Sequence, residues 1–280
     1  MIHIGPAGVP ISCEERTTLA GIGCTAKLKL NAFECEFVRR VGMSNEMAKQ
    51  VGELAKRLGV RLSAHCPYFV NLCSLDTEKL RASQKRILDS VERAHFMHAD
   101  VAVFHPGFYG KLASQGALKA VKHACAEMVD EMTSRGIRDV NLGLETMGKQ
   151  STFGTVDEII AVCSEVNGCV PVVDWAHLNC RYGGIFKTRE DYGKILDELK
   201  SLKLKHLHSH ATCAEFTPAG PGAGNEKHHL TLDAKKPDYG PLVKEILRRK
   251  IDTTLISESP ILEQDALVLK RMFEKQGYKF

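Results

Sequence analysis

Histidine and acidic side chains recur at the ends of short apolar segments along this chain. Five segments end in His65, His105, Glu145, Asp174 and Glu258, and another carries His206, His208 and His210. Imidazole and carboxylate groups without nearby paired thiols are typical ligands of catalytic zinc, manganese or iron. One such residue alone is more often a hydrogen-bonded polar group, but the repetition predicts a metal centre. Zinc is the first choice, with manganese or iron as alternatives.

The number of candidate ligands predicts more than one ion. Ligands on at least six segments exceed the three or four that one catalytic ion uses, so two or three ions are expected, with Glu145 as a bridge. Carboxylates gathered in one place repel each other unless cations neutralise them. Multinuclear centres favour phosphate ester hydrolysis, because the ions lower the pKa of water and stabilise charge on the reacting oxygens.

Two further stretches extend this set. His177 lies three residues after Asp174, in a predicted loop, and Glu226 is followed by His228 and His229 in the loop after the seventh strand. Both stretches are also compatible with solvated turns. If they bind metal, they would serve a neighbouring ion.

Eight strands that alternate with eight helices would position these side chains. The predicted strands are residues 3–5, 30–37, 61–65, 100–105, 140–145, 170–174, 204–210 and 253–258, and the predicted helices lie near residues 12–23, 44–59, 77–99, 113–135, 155–166, 188–200, 239–250 and 262–275. This alternation predicts an α/β fold, a TIM (β/α)8 barrel in a single domain over residues 1–280, with an open doubly wound sheet as the alternative. In a barrel the carboxyl ends of all strands meet at one mouth, so ligands distant in sequence would converge.

Composition excludes several classes of protein. The 280 residues are 44% hydrophobic and 26% charged, which argues against disorder and fibrous repeats. No apolar stretch reaches the roughly 18 to 20 residues of a membrane span, and the first residues lack signal-peptide features. We therefore expect a cytoplasmic protein without a membrane partner. The net charge of +4 leaves a nucleic-acid partner open, and the ten cysteines, without a CxxC pair, are expected to be reduced.

In six stretches the chain resembles the endonuclease IV family of metal-dependent apurinic/apyrimidinic endonucleases. They are AHCPYFVNL (64–72), FHPG (104–107), GLETM (143–147), DWAH (174–177), EKH (226–228) and LISESP (255–260), in family order. The resemblance implies a TIM barrel and a three-zinc centre in which Glu145 bridges two ions. It also implies that Glu145 and Glu258 are the catalytic residues, which orient the attacking hydroxide as well as bind metal. The implied ligands are His65, His105, Glu145, Asp174, His177, a seventh-strand histidine, Glu226, His228 and Glu258. Alignment of residues 204–208 with the family's strand favours His208 as the seventh-strand ligand. His206 and His210 share its face, and His210 is the second candidate.

The sequence also departs from that family. Glu226 stands where the family pattern has an aspartate, so His229 is an alternative to His228 as ligand. After the seventh strand, residues 209–216 and a Gly/Pro-rich loop at 218–224 replace the family's usual run and predict a different substrate pocket. The second loop, within residues 33–43, is short, although Arg39 and Arg40 could contact phosphates.

Two residues are predicted to contact substrate, and three functions remain to be compared. Tyr68 and Arg181 are the predicted substrate-binding residues, Tyr68 by stacking beside a flipped abasic sugar. The leading hypothesis is a monomeric hydrolase that cuts the phosphodiester 5′ of abasic sites during DNA base-excision repair. The alternative is a metal-dependent sugar or sugar-phosphate isomerase or epimerase, whose partner would be a phosphorylated small molecule. A metal-binding regulatory or scaffold protein without activity is the third possibility.

Overall fold

Eight of the ten strands form one parallel sheet in the computed structural model, which describes residues 1–280. These strands are β1 (Ile2–Pro6), β2 (Ala32–Glu36), β3 (Arg61–His65), β4 (Val101–Phe104), β5 (Asn141–Glu145), β6 (Cys169–Asp174), β7 (Leu207–Ala211) and β10 (Thr253–Ser257). Their order in the sheet is β1-β10-β7-β6-β5-β4-β3-β2, with no strand out of sequence. That is the strand order of a TIM barrel, so the predicted fold class is confirmed.

Helices connect the strands of this sheet. They are α1 (Thr18–Lys27), α2 (Asn45–Leu58), α3 (Thr77–Met97), α4 (Ser114–Ser134), α5 (Val156–Glu165), α6 (Trp175–Arg181), α7 (Arg189–Glu198), α8 (Gly240–Arg249) and α9 (Glu263–Lys275). Local signals set their ends. Ser44 accepts a hydrogen bond from the Met47 amide at the start of α2, and Gly59 ends that helix at a φ of 67°. None of the helices is both long and apolar enough to span a membrane.

The chain forms two compact units. Unit 1 comprises Met1–Phe33, Gly148–Gln150 and Val173–Phe280, and unit 2 comprises Glu34–Met147 and Ser151–Val172. Val101, Val103 and Val172 pack together in unit 2, and in unit 1 a cluster of small buried side chains packs against Phe216. The single-domain assignment stays a prediction.

A β-hairpin replaces the predicted loop at residues 218–224. β8 (Cys213–Gly220) and β9 (Ala223–Leu230) pair antiparallel, and Pro221 and Gly222 form the turn between them. Gly222 has a φ of 65°, a conformation that glycine adopts without steric cost. The prediction of a loop was wrong because glycine and proline are depleted in most strands and dominate most turns.

Three other local predictions need correction. His177 lies in α6 and not in a loop, because the helix begins directly after Asp174. β7 begins at Leu207 and not at residue 204, because Lys203 ends a short 3-10 helix at a φ of 49°. Cys13 and Cys24 form a disulfide, since the loop after β1 brings their Cα atoms to 5.9 Å. The other eight cysteines are free, as predicted, and seven of those are buried.

Candidate metal centre

Unit 2 brings two histidines to one buried carboxylate. Glu145 is fully buried at the end of β5, and its Oε2 lies 3.2 Å from His65 Nε2 and 3.0 Å from His105 Nε2. The two imidazole rings meet edge to face, with centroids 5.1 Å apart. The predicted grouping of these three residues is therefore present within unit 2.

Strand register explains why these three side chains lie on the same face. His65 is paired with Val103 on β4, and Val103 with Gly143 on β5. Side chains two residues apart on a strand point the same way, so His105 and Glu145 extend from the face that His65 occupies. Each strand therefore places a candidate ligand at or just after its carboxyl end.

Two carboxylates on β2 join this group, and the sequence analysis did not include them. Glu34 is fully buried and accepts a hydrogen bond of 2.6 Å from Ser63 Oγ. Glu36 lies two residues further along the strand and therefore on the same face. The signal was the Glu-Cys-Glu sequence inside a predicted strand, because buried carboxylates are rare unless they are paired.

These carboxylates create a strongly negative environment around His65. Burial alone would lower the pKa of His65, but Glu36, Glu145 and Glu34 raise it to about 10, above the ordinary 6.5. These carboxylates therefore favour the protonated, cationic form of the imidazole. A buried group of carboxylates and imidazoles favours a divalent cation. The charge of the cation neutralises the carboxylates, and neutral imidazole is a good ligand. The donor set in unit 2 thus fits a metal ion.

Unit 1 contains a second group of donors at the ends of β6, β7 and β10. The ligand atoms of Asp174, His210 and Glu258 lie within 4.8 Å of one another, and His210 Nδ1 is 3.3 Å from Glu258 Oε1. His210 and Asp174 are fully buried. This group combines an imidazole with two carboxylates, which suits zinc, manganese or iron.

The three seventh-strand histidines occupy different levels of unit 1. His208 pairs in register with Thr254, and His210 with Ile256, so His210 is nearer the carboxyl ends. His208 is buried, with its ring centroid 5.7 Å from that of His210. His206 precedes β7, and its Nε2 lies 2.8 Å from Thr254 Oγ1. The sequence analysis favoured His208 as ligand and His210 as a second member. Within unit 1, His210 is grouped with Asp174 and Glu258, and the choice of His208 stays a prediction.

A third group in unit 1 joins α6 to the hairpin. His177 Nε2 lies 3.3 Å from Glu226 Oε2, and His229 Nε2 lies 3.6 Å from Glu226 Oε1. Asp174 is the N-cap of α6 and accepts a 2.6 Å hydrogen bond from the His177 amide, which fixes the start of the helix. Glu226 is 14% exposed, so this group is reachable from solvent.

A β-bulge determines which histidine of β9 joins this group. Phe216 on β8 is paired with Glu226 and Glu215 with His228, so Lys227 is the extra residue. The bulge shifts the alternation by one position and turns Glu226 and His229 to the same side. His228 is exposed. Of the two alternatives raised from the sequence, the structure therefore places His229, and not His228, beside Glu226.

The β5–α5 loop holds the hairpin in place. Gly148 accepts a 3.1 Å hydrogen bond from the Glu226 amide, and a Cβ added at Gly148 would lie 2.7 Å from Glu226 Oε2. Gln150 donates from its amide to Asn225 Oδ1 at 2.8 Å and from Nε2 to the Gly224 carbonyl at 3.0 Å. The absence of a side chain at Gly148 thus leaves the space that Glu226 fills.

The predicted substrate residues differ in exposure. Tyr68 is 47% exposed, and its ring centroid lies 5.6 Å from those of His65 and His105. Arg181 is buried in unit 1 and donates from Nη1 to the Lys149 carbonyl. Arg39 and Arg40 are exposed in a connection that ends where Ser44 caps α2. Tyr68 is therefore open to a ligand beside the unit 2 group, whereas Arg181 supports the loop before α5.

Sequence comparison identifies relatives over almost the whole chain. Residues 24–275 match the family model of the xylose isomerase-like TIM barrel. An uncharacterized protein of Methanocaldococcus jannaschii is 30% identical over 279 residues, which cover 98% of each chain. A probable endonuclease 4 of Acholeplasma laidlawii is 29% identical over 240 residues, 80% of this chain and 79% of the relative.

Solved structures with the same fold include two kinds of enzyme. Endonuclease IV from Thermus thermophilus superposes with a TM-score of 0.68 and 20% identity, over 96% of this chain and 98% of that chain. A D-tagatose 3-epimerase-like protein superposes with a TM-score of 0.68 and 19% identity, over 98% and 100% of the chains. At these identities the likeness concerns the fold alone. Together with the match over residues 24–275, the strand order and the donors at the strand ends, it leads to one conclusion: this chain belongs to the xylose isomerase-like TIM-barrel family.

Proposed function

We propose that this protein is a metal-dependent phosphodiesterase that hydrolyses the phosphodiester 5′ of abasic sites in DNA. The observation that carries the proposal is the group formed by His177, Glu226 and His229. It supplies two imidazoles and a carboxylate beyond the donors that one catalytic ion requires. Several adjacent ions are typical of enzymes that cleave phosphate esters. The relative described as a probable endonuclease 4 supports the same assignment.

The proposed ligands lie at the carboxyl ends of the strands and on the elements that follow them. Carboxyl ends of neighbouring strands in a parallel sheet face the same way, and in a TIM barrel they form the active-site face. We therefore propose two or three ions, zinc first and manganese or iron as alternatives. Their proposed ligands are His65, His105 and Glu145 in unit 2, and Asp174, His177, His210, Glu226, His229 and Glu258 in unit 1, with His208 as a further candidate.

Each part of this site has a role in the proposed reaction. When bound, the ions would supply Lewis-acid stabilisation of phosphoryl charge and lower the pKa of a nearby water. Glu258 is only 12% exposed and can accept a hydrogen bond from the attacking water, which orients that water toward phosphorus. Tyr68 offers an exposed ring face for stacking beside an abasic sugar, and Arg39 and Arg40 are free to contact phosphates.

A duplex with a single abasic analogue tests this function. The full-length protein loaded with Zn²⁺ should cut that strand once, on the 5′ side of the analogue, and leave an undamaged duplex intact. EDTA should suppress cutting, and Glu145→Gln should abolish it, while His228→Ala should cut like the wild type. A lesion-bearing duplex that stays whole in the presence of two or more bound ions would rule out the nuclease proposal.

One observation favours the alternative of a sugar or sugar-phosphate isomerase or epimerase. The β2–α2 connection is only eight residues long, from Phe37 to Ser44, which leaves little chain to insert into a DNA duplex. The fold shared with a D-tagatose 3-epimerase-like protein is compatible with this alternative. Turnover of ketose phosphates by a protein that ignores the abasic duplex would establish it.

A further inference from the structure

Asp265 lies in the first turn of α9 and contacts the segments that follow two proposed ligands. Its Oδ2 accepts hydrogen bonds from Ser259 Oγ at 2.5 Å and from the Leu232 amide at 2.9 Å. Ser259 comes directly after Glu258, and Leu232 comes three residues after His229. Asp265, Ser259 and Leu232 are all buried. Asp265 Oδ2 thus links the segment that follows β10 to the segment that follows β9.

The two ligands are also joined directly. His229 Nδ1 lies 3.1 Å from the backbone carbonyl oxygen of Glu258. A carbonyl only accepts, so Nδ1 donates this hydrogen bond, and Nε2 is the ring nitrogen on the side of Glu226. The ring orientation of His229 therefore depends on where the backbone of Glu258 lies. That backbone is held on one side by Ala211, whose carbonyl accepts from the Glu258 amide at 3.3 Å.

We propose that Asp265 is a positioning residue that holds Glu258 and His229 in the geometry of metal ligands. Because it anchors the residue after Glu258 and the strand exit after His229, it fixes both ends of the contact between them. A buried anionic acceptor makes stronger hydrogen bonds than a neutral one, and groups behind a ligand control its affinity for metal. This inference rests on the proposed metal centre and assigns Asp265 no contact with substrate.

The same turn of α9 contains a matched control. Glu263 is also buried, and its carboxylate accepts from the Ile11 amide at 2.8 Å and the Ser12 amide at 3.0 Å. These amides belong to the loop after β1, which carries no proposed ligand. Acidic residues in a first helical turn stabilise the helix through its dipole, and both carboxylates lie in that turn. If the role of Asp265 were purely structural, its loss, like the loss of Glu263, would lower stability without changing the metal site.

Binding of Co²⁺ to the full chain separates positioning from stability. The visible spectrum of Co²⁺ depends on ligand geometry, whereas loss of folded protein lowers its amplitude without changing its shape. We expect Asp265→Ala to weaken at least one Co²⁺ site by about 10- to 100-fold and to change the spectrum. Asp265→Asn, which keeps an acceptor oxygen, should restore most of the affinity. Glu263→Ala should lower the melting temperature and keep the wild-type spectrum.

The contrary outcomes are equally specific. Wild-type affinity and spectrum in Asp265→Ala, or the same loss in Glu263→Ala, would overturn the assignment. If Asp265→Ala does not fold, Ser259→Ala removes one of the two donors and must still change the spectrum. No DNA enters this experiment, so an intact abasic duplex together with the expected Co²⁺ results would refute the nuclease and leave the role of Asp265 standing. If the wild-type chain binds no Co²⁺, the proposed metal centre is wrong, and the positioning role of Asp265 is overturned with it.

Discussion

Glu145 is the residue to which both histidines of the unit 2 group are tied, through a single oxygen. Replacing it by glutamine keeps the shape but removes the charge that attracts cations. We expect Glu145→Gln to lose at least one equivalent of bound metal and to bind the remainder at least about tenfold more weakly. Elemental analysis after dialysis measures this.

Glu158 provides the comparison for that variant. It is also buried in unit 2, but its carboxylate accepts from Tyr109 and from the Thr155 cap of α5. Glu158→Gln should cost about 1 kcal/mol of stability and keep the metal content of the wild type. Equal metal loss in both variants would mean that Glu145 acts only through folding.

A substitution at Gly148 tests whether metal binding depends on the position of the Glu226 side chain. A methyl group there would lie 2.7 Å from Glu226 Oε2 and 2.8 Å from Glu226 Cβ, so the whole side chain would have to move. We expect Gly148→Ala to weaken metal binding by the His177, Glu226 and His229 group about tenfold, as measured by a Zn²⁺ competition titration. Gly116→Ala is the control, because its nearest neighbour lies at an ordinary 3.6 Å. Unchanged titration of Gly148→Ala would contradict the proposed role of Glu226.

At the scale of single elements, the bulge in β9 makes a sharp distinction between adjacent histidines. His229 faces Glu226, whereas His228 is exposed on the other side of the strand. We expect His229→Ala to lose one metal equivalent and His228→Ala to keep the full complement, with both folding normally. Metal content is the measurement, and circular dichroism verifies folding. Loss of metal from His228→Ala alone would show that the bulge does not select the ligand.

The interaction of Glu245 with two arginines of α8 predicts a dependence of stability on pH. The pKa of Glu245 is lowered to about 2 by its hydrogen bonds to Arg248 and Arg249, although burial opposes the shift. A carboxyl group with a lowered folded-state pKa stabilises the protein above its ordinary value of 4.5 and loses that contribution as pH falls toward 2. Because Arg248 is partly exposed, solvent screens its interaction with Glu245. We therefore expect the Glu245 carboxylate to contribute about 2 kcal/mol to the free energy of unfolding at neutral pH.

Urea unfolding of wild type and Glu245→Gln checks that expectation. At pH 7 the variant should be less stable by about 2 kcal/mol, and near pH 2 the two proteins should converge. Parallel curves at both pH values would contradict the assigned pKa. Since Glu245 contacts no proposed ligand, metal content should not change.

At the scale of the whole molecule, local patterns were sufficient to predict the eight strands of the parallel sheet and several of the candidate ligands at their ends. β3 has the predicted bounds, and His65, His105 and Glu145 lie at strand ends as predicted. Short apolar runs, caps and helix breakers depend on neighbouring residues, so they can be recognised in the sequence. In a TIM barrel the carboxyl ends of the strands form the active-site face.

Features that depend on contacts between residues far apart in the sequence could not be predicted from local patterns. The bulge at Lys227 arises from the pairing of β9 with β8, so no pattern within β9 distinguishes His229 from His228. The disulfide between Cys13 and Cys24 depends on how the loop after β1 folds back onto α1. Glu34 could have been included, because its place on an apolar strand already indicated a buried carboxylate.

The central claim is that histidines and carboxylates from many strands hold several divalent ions together. Metal content of the purified full-length chain, measured by elemental analysis after removal of loosely bound ions, tests it most directly. We predict two to three ions per chain that EDTA removes and Zn²⁺ restores. A chain that holds one ion or none under these conditions would contradict the account.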